Sequence, residues 1–360
     1  MNESLNPNHN TQRPRKKKVS ITFIITVVFL SLITLSSLFF AYYCLKLYKD
    51  EVNKELSEKQ TPTVTYTEEE VDIMLAEARK EAYDSAVGEY REELKYTAEN
   101  NNGIIKMLRK LYPEYFVFFN KDHYEFVEIL DTIPPANFEN ENIIANDGFL
   151  EYKVDGEVLS KKGIDVSKFQ GDIDWQKVAD SGVDYVMIRT GLRGYETGKL
   201  VTDENFIVNV EGATDAGLDV GVYFFTQATN DAEAREEAEY VLELIKDYNI
   251  TYPIAIDIED LYNDNARSAN QSKESRTDCA ITFMETIKAA GYTPAIYGNL
   301  NTFTKLVDVN RLGEYKKWFA LYDTEIYFPY EIDIWQYSDK GQIDGITGDV
   351  DLNITFPVEK

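Results

Sequence analysis

Two carboxylates stand one residue apart at the end of an apolar run in "YPIAIDIED", residues 252–260. Ile254, Ala255 and Ile256 read as buried strand, and Asp257 and Glu259 follow. Side chains alternate along a strand, so these two acids share one face while Ile256 and Ile258 take the other. They are about 6.5–7 Å apart along the chain, close enough to flank one substrate bond. Such a pair suits acid/base work on a glycosidic linkage. The same oxygen atoms could also hold a magnesium or calcium ion, or simply end a solvated strand. Asp165, in "GIDVS", and Asp351, in "DVDLN", sit on two further short β-rich runs.

Other chemistries have little to work with. The chain has two histidines, His9 and His123, and neither lies near these acids. Its two cysteines, Cys44 and Cys279, show no metal-type spacing, so the expectation is no cofactor and no metal. A net charge of −26 over 360 residues speaks against a nucleic-acid partner. It also gives no long-range steering toward an anionic surface.

The elements that would position the acids recur from residue 161 onward. Short β-rich runs fall at 163–167, 185–191, 219–226, 253–259, 293–299, 317–323, 332–338 and 349–353. Helical patterns separate the first five, and the last three are joined by links too short for a full crossover helix. Alternating strand and helix predicts parallel strands. The expected fold class is therefore α/β: an irregular eight-stranded, TIM-like barrel with five β/α units followed by three strands. Chemistry in such barrels gathers at the C-terminal strand ends. First and eighth strands are neighbours on closure, which would bring Asp165, Asp257, Glu259 and Asp351 to one mouth.

Upstream of the barrel the composition changes. Residues 1–18 form a tail with five basic residues and one acid, and residues 19–45 contain no charge. That uncharged stretch is long enough to span a bilayer as a helix and too long for a typical signal-peptide core. Positive-inside logic puts the N-terminus in the cytoplasm and the rest outside, as a single-pass cell-membrane protein. Residues 46–103 read as a linker and then a helical stalk, opened by a capping box at "TEEE" (67–70). That helix forms either a coiled-coil stalk or a helix packed on the segment C-terminal to it. Residues 104–160 read as a small α+β connector, with Asp155-Gly156 as a two-residue hairpin turn.

Six segments, "KGIDVSKFQGDIDW" (162–175), "GVYFFTQA" (221–228), "IAIDIED" (254–260), "AIYGN" (295–299), "DIWQYS" (333–338) and "GDVDLN" (348–353), together resemble the catalytic domain of family 25 glycoside hydrolases, the N-acetylmuramidase type of lysozyme. The resemblance covers residues 161–357. It implies cleavage of the β-1,4 bond between N-acetylmuramic acid and N-acetylglucosamine, with peptidoglycan strands as the partner. It implies Glu259 as proton donor, Asp257 as the group that orients or stabilises the reacting sugar, and Asp165 and Asp351 lining the cleft. Many relatives carry a histidine where this chain has "YFF" at 223–225.

Tyr223, Phe225, Tyr297 and Trp335 are the candidate sugar-stacking walls, with barrel core as their other reading. Arg189 reads as one half of a structural ion pair or a partner for one of the acids. Stereochemistry stays open, because the expected carboxylate spacing falls between the retaining and inverting separations. The rival function is a membrane-anchored glycan-binding or scaffold protein without activity.

Overall fold

A computed structural model describes residues 34, 36–38, 40–52, 66–99 and 103–357. The basic tail, most of the apolar stretch 19–45 and the linker 53–65 lie outside the described residues. Residues 40–52 are helical (α1). Among the described residues no helix is long and apolar enough to cross a membrane. The chain divides into two compact units, Met1–Glu92 and Glu93–Lys360.

The stalk region is one helix, α2 (Glu68–Glu99). Its start is the expected capping box. The Glu70 carboxylate accepts from the Thr67 amide at 2.7 Å, and the Thr67 hydroxyl accepts from the Glu70 amide at 3.3 Å. Its apolar stripe is uncovered, with Val71, Leu75, Tyr90 and Leu94 all exposed.

The second unit carries the barrel. Its strands are β6 (Lys161–Val166), β7 (Tyr185–Arg193), β9 (Asp219–Phe225), β10 (Ile254–Asp257), β11 (Pro294–Asn299), β12 (Lys316–Ala320), β13 (Ile334–Gly341) and β14 (Val350–Thr355). They pair in that order, and β6 pairs with both β14 and β7, which closes the ring. β8 (Leu200–Thr202) is an added antiparallel partner of β7. Helices α4 (Trp175–Asp180), α5 (Phe206–Asp215), α6 (Asp231–Ile245) and α7 (Lys273–Ala289) fill the first four crossovers.

Two features differ from the expected pattern. The fifth crossover holds no α-helix, only a π-helical turn (Thr302–Leu306) and a 3-10 turn (Val309–Leu312). β14 runs antiparallel to both its neighbours, so its first residues arrive at the mouth where the other strands end.

Alternation separates two apolar layers. Ile254, Ile256 and Ile258 pack outward with Val241, Ile245, Phe283 and Ile287 of the helices. Ala255 points inward with Tyr185, Met187, Ala295, Trp318 and Ile334. The Tyr185 ring plugs the barrel beside Gly163, where a Cβ would come within 2.1 Å of the ring. Only glycine admits that ring.

The connector covers the side of the barrel that lacks helices. It contains α3 (Ile105–Leu111), a hairpin of β1 (Tyr115–Asn120) and β2 (His123–Glu128), and a sheet of β3 (Ile143–Asn146), β4 (Phe149–Val154) and β5 (Glu157–Val158). Asp155 and Gly156 join β4 to β5 with φ values of 51° and 90°, the positive pair that a type I′ turn requires.

The link between β12 and β13 is held by this region rather than by a helix of its own. The Asn140 amide donates to the Ile326 carbonyl at 2.8 Å, and its oxygen accepts from the Ile326 amide at 2.9 Å. Arg109 lies 3.3 Å from the centroid of the Tyr327 ring. The Tyr330 hydroxyl accepts from the Leu130 amide at 3.1 Å. Asn140→Ala is expected to leave both Ile326 backbone groups unpaired and to cost about 1–3 kcal/mol. Chemical denaturation would read this as a lower midpoint at unchanged slope.

Candidate active site

Register places the candidate acids side by side. Asp351 lies directly opposite Asp165, and Asp257 sits between Phe225 on β9 and Tyr297 on β11. Glu259 stands two residues beyond Asp257, past the end of the strand, and is partly buried. Electrostatic influences among the four run in the same sense as this placement. Asp257 feels Glu259 and Asp165, Glu259 feels Asp351, and Asp165 feels Glu259.

A hydrogen-bond network fixes Asp165. One of its oxygens accepts from the Gln336 amide and from the Asn353 amide, each at 2.8 Å. The Gln336 carbonyl accepts from the Tyr297 hydroxyl at 2.8 Å and the Tyr322 hydroxyl at 2.9 Å. Trp318 donates its indole N–H to the Asn353 oxygen at 2.7 Å. Each amide is thereby oriented, because its oxygen is occupied by a donor-only or hydroxyl group.

Burial raises every acid of the set. Asp165 is pushed up to about 6, since burial outweighs its two amide donors. Asp351 is pushed up to about 8 by burial and then by the charges of Asp165 and Asp339. Burial, and then Glu259 and Asp165, lift Asp257 well above the ordinary range. Glu259 is raised by burial and by Asp351. Groups of this kind can hold a proton near neutrality and deliver it. Asp257 Oδ1 is buried and has no hydrogen-bond partner within the protein. Among the described residues no group of three or more His, Cys, Asp or Glu side chains is placed to hold a metal ion.

The four candidate stacking residues divide. Tyr297 and Tyr223 lie inside the barrel, edge-on to Trp318 at 4.5 and 5.6 Å. Phe225 lies beside Asp257 and is partly buried. Trp335 is a correction. It is fully buried on the outward face of β13, packs against Tyr337, and donates its N–H to the Leu321 carbonyl at 2.8 Å. The inward residue at this point is Gln336. Arg189 forms a structural ion pair with Asp203, Nη2 to Oδ2 at 2.6 Å.

Gln336, Asn353, Trp318 and Tyr322 are site residues that the sequence reading does not single out. Their signal is parity: Asn353 is two residues from Asp351, and Gln336 faces Asn353 across the sheet. Gln336→Leu is expected to strip Asp165 of one donor and two tyrosine hydroxyls of their acceptor. Turnover should fall about 10–100-fold, the scale of losing one or two oriented polar contacts. Steady-state kinetics on cell-wall substrate would measure it.

A closed β/α barrel that gathers carboxyls at the C-terminal ends of its strands is the arrangement that glycoside hydrolysis uses. The comparisons agree. The chain matches Glycosyl hydrolases family 25 over residues 164–346, just over half its length. The chain belongs to that family, and its barrel is a glycoside hydrolase domain of the lysozyme type.

Among curated proteins, it is 28% identical over 200 residues to the uncharacterized protein YegX of Escherichia coli (strain K12), covering 53% of this chain and 68% of that one. It is 29% identical over 196 residues to the autolytic lysozyme of Clostridium acetobutylicum, covering 53% of this chain and 55% of that one. The modular autolysin LytC from Streptococcus pneumoniae, solved with a synthetic peptidoglycan ligand, shares the fold with a TM-score of 0.51 and 24% identity. That likeness covers 68% of this chain and 57% of LytC, so the chain spans little more than half of the autolysins it resembles.

Proposed function

We propose that the protein hydrolyses peptidoglycan strands at the β-1,4 bond between N-acetylmuramic acid and N-acetylglucosamine. The observation that carries this reading is the convergence of four carboxyls at one barrel mouth: Asp165 and Asp257 buried, Asp351 directly opposite Asp165, and Glu259 two residues beyond Asp257. Glu259 is the proton donor, being only partly buried and standing beyond the end of its strand. It protonates the glycosidic oxygen as the C1–O bond breaks. Positive charge develops at C1 and is met by the surrounding carboxyls.

The sugar's own 2-acetamido oxygen closes on C1. Asp257 Oδ1, which has no protein partner, accepts the acetamido N–H and orients it. Water then opens the ring, its proton passes to the Glu259 carboxylate, and the original anomer is restored. Asp165 and Asp351 line the cleft, and Tyr223, Phe225 and Tyr297 form its aromatic wall. Residues 19–45 anchor the protein in the cell membrane with the barrel outside, and the tether supplies the local concentration that its acidic charge does not.

Mass spectrometry of products from defined peptidoglycan tests the bond. N-acetylmuramic acid at every new reducing end is expected, and N-acetylglucosamine there would overturn the reading. NMR of the earliest products is expected to show the retained anomer. An inverted anomer would remove the acetamide step. Intact strands after prolonged incubation would favour the glycan-binding alternative.

A further inference from the structure

An open groove runs beside the mouth, between the β3–β4 hairpin of the connector and the barrel's own loops. Ala145 and Phe149 line one wall, and Tyr322, Thr324, Ser338 and Asp339 line the other. The hairpin lies outside the residues matched by the family. It is fastened to the barrel. The Leu150 amide donates to the Tyr337 hydroxyl at 3.2 Å, and Lys162 of β6 bonds Glu151 at 2.8 Å.

The groove meets the acid cluster at two points. Tyr322 lines it while its hydroxyl donates to Gln336, which in turn donates to Asp165. Asp339 lines it and helps to raise Asp351. A molecule in the groove is therefore adjacent to one in the mouth.

The lining chemistry selects an occupant. The Tyr322 ring is 53% exposed, so a flat aromatic surface is available. Around it stand the hydroxyls of Thr324 and Ser338 and the carboxylates of Asp323 and Asp339. The one lysine of the lining, Lys340, faces Asp339 at 3.7 Å and Asp349 at 3.6 Å. A sugar ring offers C–H faces to an aromatic and hydroxyl donors to carboxylates. A phosphate polymer would find acids and an already paired cation.

We propose that this groove is an extended saccharide subsite, in which the connector hairpin holds sugar units of the glycan strand beyond the bond that is cleaved. It rests on the proposed hydrolase activity and extends it to a wall that the family match does not contain. The subsite makes the enzyme prefer long strands, because the extra sugars add binding without touching the reacting centre.

The test uses Ala145→Arg and Thr324→Arg, one from each wall, both at exposed positions. Either guanidinium would be drawn to Asp323 and Asp339 and fill the groove. Binding is measured by calorimetry on the Glu259→Gln background, with peptide-free glycan strands and with the disaccharide as probes. Each variant is expected to weaken long-strand binding by at least about tenfold relative to the disaccharide. An unchanged ratio in both variants, with thermal midpoints at the parent value, would overturn the subsite. Binding does not require turnover, so an inactive parent protein that still binds strands would sink the hydrolase reading and leave this result readable.

Discussion

Glu259→Gln is expected to lower cell-wall turnover by about 10²–10⁴-fold, the usual contribution of a positioned general acid. The amide keeps the shape of the side chain and loses the proton that the leaving oxygen needs. Stability is expected to hold or rise. Glu259 is raised by burial and by the charge of Asp351, so its ionised form is disfavoured in the folded state. Replacing it removes a source of repulsion.

A zymogram and a thermal melt on the same preparation separate lost chemistry from lost folding. Residual turnover within tenfold of the parent would transfer the acid role elsewhere, with Asp351 next in line because it too is raised, to about 8. The distinction has a kinetic signature. A lost acid lowers kcat, while a lost sugar contact raises KM.

Much of this site can be read before any coordinates. The barrel strands are short runs bounded by polar turns, and period-two alternation assigns each acid to a face. That logic is sound for "IAIDIED", because the outward residues there are isoleucines and the inward ones Ala255 and Asp257. It fails for "DIWQYS", where both faces of β13 are buried. Trp335 and Gln336 are each below 3% exposed, and hydrophobicity cannot say which looks inward. The large aromatic draws the eye, and the polar residue beside it holds the network.

The reversed direction of β14 is also hidden from the sequence. A run of β-rich residues carries no arrow, and only the short link from β13 hints at an antiparallel return. In the connector, Asp155-Gly156 reads as a turn, while Asp147-Gly148, with φ values of 47° and 83°, closes the β3–β4 hairpin by the same chemistry. The contact of that hairpin with the barrel is long-range, and no local pattern encodes it.

The acid cluster also sets how stability responds to pH. A carboxyl raised on folding favours the folded state while protonated. Its contribution is complete below the ordinary carboxyl range and is lost as pH climbs through the folded value. Asp165, raised from 3.8 to about 6, accounts for a loss on the order of 3 kcal/mol. Asp351, raised to about 8, extends the window upward, and Asp257 and Glu259 act in the same direction.

Glu233 opposes them only in acid. Its carboxylate is held down to about 2, burial being outweighed by Arg267 and Thr229, so its contribution is lost below about pH 4. Between pH 5 and pH 8 the thermal midpoint should therefore fall; Asp165 alone, with about half of its loss already complete by pH 5, contributes about 1.4 kcal/mol there, or roughly 3–6 °C in a domain of this size. Calorimetry across that range would check it, and a flat or rising midpoint would contradict the buried-cluster electrostatics. Asp351→Asn should flatten the upper part of the curve, because an amide has no proton to lose. The barrel gives up stability toward neutral pH to keep at its mouth the protonated carboxyl that the proposed chemistry consumes.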